Sequence, residues 1–188
     1  MKIDYQIFIF IILFIFSRKI HSFLLGKKAK AFPNFKRDKT YKIVFISALL
    51  AEWLPVIEYL IFSREFLMIT IIGVLLALIG LFIRYISLRA LGSHFSGYVE
   101  VKENHELIKD GIYKYIRHPA YLGILVYYLG LPLVLNAYYS ELIGFILYSF
   151  ALFWRIKEEE RLLTKKFGEE YKTYMSQTGI LLPKIRLK

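Results

Sequence analysis

The sequence predicts an all-α integral membrane protein with about five transmembrane helices, a polar cytoplasmic loop and an amphipathic helix near the carboxyl terminus. Three observations support this fold class. Of the 188 residues, 57% are hydrophobic and 18% are aromatic, shares above those of soluble globular proteins. The apolar residues fall into five segments. Lys and Arg cluster between these segments, on one predicted side of the membrane.

The five apolar segments are the predicted transmembrane helices, and they cover residues 3–16, 43–62, 66–83, 119–136 and 141–154. A helix that crosses a bilayer core has about 17–25 residues, a length that segments two to four reach. The first resembles the apolar part of a signal peptide, but no small-residue cleavage site follows in SRKIHSF, so we expect a retained anchor helix. The fifth reaches the required length if its helix continues into RIKEEERLLTKKF.

The basic residues predict the orientation. Of 26 Lys and Arg, nine lie at 17–42, five at 89–118 and nine at 155–188. With five spans and the amino terminus outside, all three stretches are cytoplasmic, as the positive-inside rule requires. The formal net charge of +11 is thereby explained without a nucleic-acid partner. We expect the functional site on the cytoplasmic side, because the external turns at 63–65 and 136–141 are short.

Small and charged residues inside the apolar segments predict how the helices pack. Glu52 and Glu58 would each cost about 2.5–3.5 kcal/mol if they faced lipid, so we expect them to face the bundle. Arg84, near the end of the third segment, is expected to snorkel towards the interface. Glycines spaced seven residues apart share a helix face and are predicted to allow close packing. These are Gly73 and Gly80 in the third segment, and Gly123 and Gly130 in the fourth.

The start of the fourth segment, within GIYKYIRHPAYLG (111–123), is the first candidate site. Pro119 fits the first turn of a helix, which places His118 at the N-cap. A carboxylate arriving there would meet Arg117, His118 and unpaired backbone N–H groups. Arg117 and His118 could equally be interfacial anchors for lipid headgroups, and the motif alone leaves both interpretations open. Tyr121, one turn on, is typical of a membrane-interface aromatic residue.

The end of the fifth segment is the second candidate site. Arg155 and Glu159 are four residues apart and share a helix face, which by itself indicates an ordinary ion pair. The run Glu158-Glu159-Glu160 by itself indicates a solvated face. The short turn at 136–141, however, makes helices four and five antiparallel neighbours, so both candidate sites converge. The stretch 154–179 is predicted to be helical, with one apolar face formed by Leu162, Leu163, Phe167, Tyr171 and Tyr174.

These two stretches resemble the isoprenylcysteine carboxyl methyltransferase family and its phospholipid-methyltransferase relatives. HELIKDGIYKYIRHPAYLG (105–123) matches H-x-L-x-x-x-G-x-Y-x-x-x-R-H-P-x-Y-x-G, and RIKEEERLLTKKFGEEYKTY (155–174) matches the family's Arg, acidic cluster and F-G-x-E-Y. The resemblance covers roughly the last half of the chain. It implies one methyltransferase domain over 1–188, with spans one to three in 1–90. The cofactor-binding half, with the cytoplasmic catalytic loop and spans four and five, is 91–188.

The resemblance also implies the cofactor and its contacts. The cofactor is S-adenosyl-L-methionine, and no metal is needed. Arg155 is implied to face the methyl acceptor and, with Glu159, to form the catalytic pair. The implied cofactor contacts are Glu100, His105, Glu106, Leu107, Ile108, Tyr113, His118, Pro119, Ala120, Tyr121 and Glu159.

The implied reaction is methyl transfer to a membrane-embedded amphiphile, such as the carboxylate of a prenylated small molecule or peptide. Arg155 favours a carboxylate acceptor, because its planar guanidinium can bind a carboxylate through two parallel hydrogen bonds. Three alternatives stay open: the amine of phosphatidylethanolamine as acceptor, a sterol-type reductase that uses NADPH, and a non-enzymatic membrane scaffold or channel subunit. Against the last stands the concentration of His, Tyr, Arg and Glu on one side of the membrane.

Overall fold

The computed structural model describes residues 5–25, 39–91 and 107–184, which form six α-helices. A 3₁₀ turn at Gly111–Lys114 precedes the fourth helix. The extended pairing found in the described residues is one isolated parallel bridge, between Ile116 and Gly179. The predicted all-α class is therefore confirmed. The helices are α1 (Tyr5–Leu25), α2 (Lys39–Phe62), α3 (Leu67–Leu91), α4 (Pro119–Val134), α5 (Tyr138–Phe167) and α6 (Glu169–Gln177).

The helix lengths agree with an integral membrane protein. Helices α2, α3 and α5 are long and apolar enough to cross a membrane, and α4 is a shorter apolar helix. Large apolar side chains on their outer faces are exposed, as contact with lipid requires; Phe150, for example, is 74% exposed. Helix α1 has 21 residues and continues past the predicted segment 3–16. The number of five spans and the orientation stay predictions.

Helices α3 and α4 pack closely because glycines remove side chains from their interface. A Cβ atom on Gly80 would lie 2.4 Å from the backbone nitrogen of Tyr127, and one on Gly123 would lie 2.6 Å from that of Arg84. Gly73 and Gly130 are equally tight, with distances of 2.6 and 2.5 Å to the nearest backbone atom. The prediction that the four glycines allow close packing is confirmed. One consequence is that the end of α3 lies directly beside the start of α4.

Helix α5 has 30 residues, about 45 Å of helix, so the fifth apolar segment does continue into the charged sequence beyond it. The single helix predicted over 154–179 is wrong at one point. The chain turns at Gly168, where φ is +54°, a left-handed conformation that a residue without Cβ adopts at little cost. Helix α6 then folds back, and Tyr171 and Tyr174 become buried against the rest of the domain.

The acidic residues of α2 face the bundle, as predicted. Glu52 is 4% exposed and accepts hydrogen bonds from Arg18 Nη2 (2.6 Å) and the Tyr128 hydroxyl (2.8 Å). Glu58 is 6% exposed and lies at the turn between α4 and α5. It pairs with Arg64 Nη1 at 2.7 Å and accepts from the Ser140 backbone N–H at 2.6 Å and the Ser140 hydroxyl at 2.7 Å.

Candidate active site

The start of α4 has the predicted backbone geometry. Pro119 occupies the first turn, and His118 is the N-cap residue, although its side chain makes no capping hydrogen bond. The imidazole turns towards α5 instead, where its Nε2 lies 3.3 Å from Glu160 Oε1. Its other neighbour is Tyr121, whose ring stacks on it with the centroids 5.6 Å apart. His118 is thus held between α4 and α5.

Arg117 makes several contacts within the chain that neither interpretation of the sequence included. It is buried, and its Nε donates to Glu160 Oε1 at 2.7 Å. Its Nη1 donates to the carbonyl oxygens of Met175 (3.2 Å) and Thr178. The guanidinium therefore ties the end of α6 to the start of α4. Removing either Arg117 or Glu160 would leave the other charge in a largely buried place without its partner.

Backbone pairing strengthens the same junction. The N–H groups of Arg117 and His118 donate to the carbonyl oxygens of Gly179 (2.9 Å) and Ile180 (3.0 Å). Of these two donors, only the N–H of the N-cap residue His118 belongs to the helix start, where the sequence suggested that a carboxylate could bind. Sequence reasoning missed the pairing because an isolated bridge between segments 60 residues apart leaves no local pattern.

Tyr121 joins the two predicted catalytic residues. Its hydroxyl donates to Glu159 Oε2 at 2.8 Å and accepts a hydrogen bond from Arg155 Nε at 2.9 Å. Arg155 is 5% exposed, and its Nη1 lies 3.4 Å from the Thr40 hydroxyl on α2. The predicted meeting of the end of α5 with the start of α4 is confirmed. The Tyr121 side chain thus connects Arg155 and Glu159 through hydrogen bonds and is not simply an interfacial aromatic residue.

The three consecutive glutamates point in three directions. Glu158 faces outwards and pairs with Arg161, at 2.9 Å between Oε2 and Nη2. Glu159 contacts Tyr121, and Glu160 contacts both Arg117 and His118. The solvated-face interpretation therefore holds only for Glu158. Glu160 is a site residue that sequence reasoning missed, since nothing within an acidic run shows which member faces a neighbouring helix.

The other implied cofactor contacts have different surroundings. Leu107 and Ile108 are half-buried and precede the 3₁₀ turn, and Ala120 is buried in the first turn of α4. Tyr113 is buried, and its carbonyl accepts a 2.6 Å hydrogen bond from the Tyr174 hydroxyl. Burial raises the pKa of Tyr174 to about 12, so this phenol stays a neutral donor. Glu100, His105 and Glu106 lie outside the described residues.

A partly open cavity of about 160 Å³ is lined by side chains from α1, α2, α3, α4 and α5. Tyr148, two turns before Arg155 on α5, is part of its wall. Arg84 also lines it, with Nη1 3.4 Å from the Ala120 carbonyl oxygen at the start of α4, and the snorkelling expected of Arg84 stays a prediction. The remaining polar lining residues are Ser17, Arg18, Tyr41, Glu52, Tyr127 and Tyr128.

The matches to known proteins agree with this geometry. Residues 71–165 match the model of the isoprenylcysteine carboxyl methyltransferase (ICMT) family, a range that contains the start of α4 and the Arg155–Glu159 pair. The protein-S-isoprenylcysteine O-methyltransferase of Saccharomyces cerevisiae is 32% identical over 173 residues, which are 88% of this chain and 69% of the yeast protein. The chain belongs to the ICMT family. Membership implies S-adenosyl-L-methionine as the methyl donor.

Other ICMT relatives are matched over a smaller share of their length. The Homo sapiens protein-S-isoprenylcysteine O-methyltransferase is 31% identical over 157 residues, 78% of this chain and 53% of the human protein. A solved structure of the eukaryotic intramembrane Ras methyltransferase ICMT superposes with a TM-score of 0.66 at 26% identity, covering 74% of this chain and 51% of that one. The chain thus spans about half the length of these two relatives.

Proposed function

We propose that this ICMT-family chain transfers a methyl group from S-adenosyl-L-methionine to the carboxylate of a prenylcysteine-like amphiphile. The observation that carries the proposal is the junction of α4 and α5, where one hydroxyl, that of Tyr121, holds both Arg155 and Glu159. The names of the relatives, which are protein-S-isoprenylcysteine O-methyltransferases, support the same reaction.

The residues at this junction fit the cofactor. S-adenosyl-L-methionine presents a carboxylate, an ammonium, ribose hydroxyls, an adenine and a cationic sulfonium. Glu159 can accept from an ammonium or a hydroxyl group, and the His118 imidazole supplies a polar edge beside it. Leu107, Ile108 and Ala120 would provide apolar contacts for the cofactor. When bound, the cofactor supplies a methyl group activated by the positive charge on sulfur.

The proposed reaction requires the protein chiefly to position the methyl donor and the acceptor carboxylate. An acceptor carboxylate is already an anion at neutral pH, so its oxygen can form the new C–O bond without a general base. Alignment of the two reacting groups can supply about 7–11 kcal/mol of the barrier reduction. Arg155 is suited to hold the acceptor, because its bond to Tyr121 fixes the plane of a buried guanidinium. A guanidinium also combines a positive charge with several N–H donors in one plane, which suits recognition of a carboxylate.

The basic segments support a cytoplasmic site and an external amino terminus. The lipid tail of the acceptor would remain in the bilayer while its carboxylate reaches Arg155 at the membrane boundary. Reporter fusions within 107–115 should therefore report the cytoplasmic side. A fusion reporting the external side would contradict the proposed orientation.

The proposed reaction is tested with purified protein in nanodiscs, labelled S-adenosyl-L-methionine and an N-acylated S-prenylcysteine. We expect label in a methyl ester, which mild base releases as methanol. The nanodiscs contain phosphatidylethanolamine as an internal competitor, and label that stays in its headgroup after base treatment would favour the amine-acceptor alternative. Absence of any transfer, together with binding of NADPH, would overturn the proposal in favour of the reductase.

A further inference from the structure

Tyr171 carries a buried hydroxyl that the packing does not explain. The residue is 1% exposed and is among the largest fully buried side chains of the described chain. Its hydroxyl has no hydrogen-bond partner among the described residues. Burying an unpaired hydroxyl is costly, and native proteins seldom retain one without a reason.

Tyr174, one turn later on the same face of α6, provides the contrast. Its hydroxyl donates to the Tyr113 carbonyl oxygen at 2.6 Å, and its ring lies 5.9 Å from that of Tyr171. Tyr174 therefore attaches α6 to the 3₁₀ turn before α4. The two tyrosines lie on the same helix and are buried to a similar extent. Only the hydroxyl of Tyr174 has a hydrogen-bond partner among the described residues.

Tyr171 lies on a helix whose end is attached to the start of α4 by Arg117. Arg117 joins the end of α6 to Glu160, so α6 is fixed over the region where α4 begins. Burial, followed by the negative charge of Glu160, raises the pKa of Tyr171 above its usual range; Arg117 lowers it, and Glu159 raises it further. The phenol is therefore neutral at physiological pH, and it lies within electrostatic reach of both glutamates.

We propose that the Tyr171 hydroxyl is a hydrogen-bonding contact for the amino-acid end of the bound cofactor. This inference rests on the proposed function. The methionine end of S-adenosyl-L-methionine is zwitterionic, and the region around Tyr171 contains charges of both signs from Glu159, Glu160 and Arg117. A neutral phenol can donate to the carboxylate of such a group or accept from its ammonium. Tyr171 is the tyrosine of the F-G-x-E-Y stretch, and its assignment as a cofactor contact is argued from its buried hydroxyl and the packing of α6.

The test compares Tyr171→Phe with the matched variant Tyr174→Phe in nanodiscs. Calorimetry measures the affinity for S-adenosylhomocysteine, the demethylated product, and for 5′-methylthioadenosine, which lacks the amino-acid end. We expect Tyr171→Phe to weaken S-adenosylhomocysteine binding about five- to tenfold, the usual worth of one hydrogen bond, and to leave methylthioadenosine binding unchanged. The thermal midpoint of the ligand-free variant should be unchanged or higher, because an unpaired buried hydroxyl has been removed. Tyr174→Phe should lower that midpoint.

Three results would overturn the inference: unchanged S-adenosylhomocysteine affinity in Tyr171→Phe, an equal loss for both ligands, or a lower midpoint of the ligand-free variant. The last would show that the hydroxyl has a partner within the chain. If the unmodified protein binds neither S-adenosylhomocysteine nor methylthioadenosine, the proposed function fails as well. That outcome is distinct from a failure confined to Tyr171.

Discussion

The two ends of the α4–α5 hairpin contain acidic clusters that are built in opposite ways. At the turn, Glu58 is enclosed by partners from the chain itself: Arg64 at 2.7 Å, and the backbone N–H and hydroxyl of Ser140 at 2.6 and 2.7 Å. At the other end, where α4 begins, Glu159 and Glu160 are half-buried. The Tyr171 hydroxyl, which has no hydrogen-bond partner in the part of the chain that the structure describes, lies within their electrostatic reach.

The difference separates a structural use of buried charge from a functional one. A buried carboxylate whose partners are all internal fixes the geometry of the chain, and Glu58 does so by capping the first turn of α5. Glu159 and Glu160 also have partners within the chain, in Tyr121 and in Arg117 and His118. What distinguishes their cluster is that both are only half-buried and that it contains the residues proposed to bind cofactor and acceptor. The cluster at Glu58 should therefore govern stability, and the cluster at Glu159 and Glu160 should govern binding and turnover.

Glu58→Ala is expected to have the largest effect. Removing the carboxylate leaves Arg64, whose side chain is 21% exposed, without its partner and leaves the N–H groups at the start of α5 unpaired. We expect a loss of about 3–5 kcal/mol in the free energy of unfolding, as for other broken buried pairs. Denaturant unfolding in mixed micelles measures it. Cofactor affinity of the molecules that remain folded should not change.

Glu65→Ala is the matched control for this comparison. Glu65 is exposed and lies in the short turn between α2 and α3, so its removal should change stability by less than about 0.5 kcal/mol. Equal effects of Glu58→Ala and Glu65→Ala would show that the Glu58 cluster is not a structural element.

Arg155→Ala tests the proposed role of Arg155 in binding the methyl acceptor. We expect turnover to fall at least about tenfold, which corresponds to roughly 1.4 kcal/mol of transition-state stabilisation. Cofactor affinity, measured by calorimetry with S-adenosylhomocysteine, should be nearly unchanged, because Arg155 is assigned to the acceptor. Arg155→Lys keeps the charge but loses the planar fork, and it should also be impaired. Full activity of Arg155→Ala on the prenylated acceptor would refute this role and favour an amine acceptor.

Local patterns in the sequence were enough to predict the helix start at Pro119, the glycine contacts of α3 and α4, and the meeting of α5 with α4. Each depends on residue spacing within one helix or on a short connecting turn. The sequence could not predict how Arg117, Glu160 and Tyr171 are used. Successive residues of a helix are rotated by about 100°, so three adjacent glutamates must diverge. Which of them faces a neighbour depends on packing between distant segments, including the return of 178–180 to the start of α4.

Glu160→Gln tests whether Glu160 contributes to cofactor binding or only to stability. The substitution keeps the shape of the side chain but removes the charge that holds Arg117 and His118. The imidazole of His118 would lose its orienting partner, and we expect S-adenosylhomocysteine affinity to fall about fivefold, the worth of roughly one hydrogen bond. Calorimetry provides the measurement. Unchanged affinity would place Glu160 with Glu58, as a residue that only stabilises the fold.

Glu158→Gln should have the smallest effect, although it alters the same kind of side chain only two residues away. Glu158 and Arg161 have side chains that are 36% and 67% exposed, so their ion pair is weakened by water and salt. We expect less than about 0.5 kcal/mol of lost stability, with cofactor affinity and turnover both unchanged. Both variants change helix propensity and net charge equally. A difference between Glu158→Gln and Glu160→Gln in the same assays therefore cannot come from either of these properties. If the two variants were equally impaired, net charge rather than a directed contact would explain the result, and the distinction between a structural and a functional acidic cluster would fail.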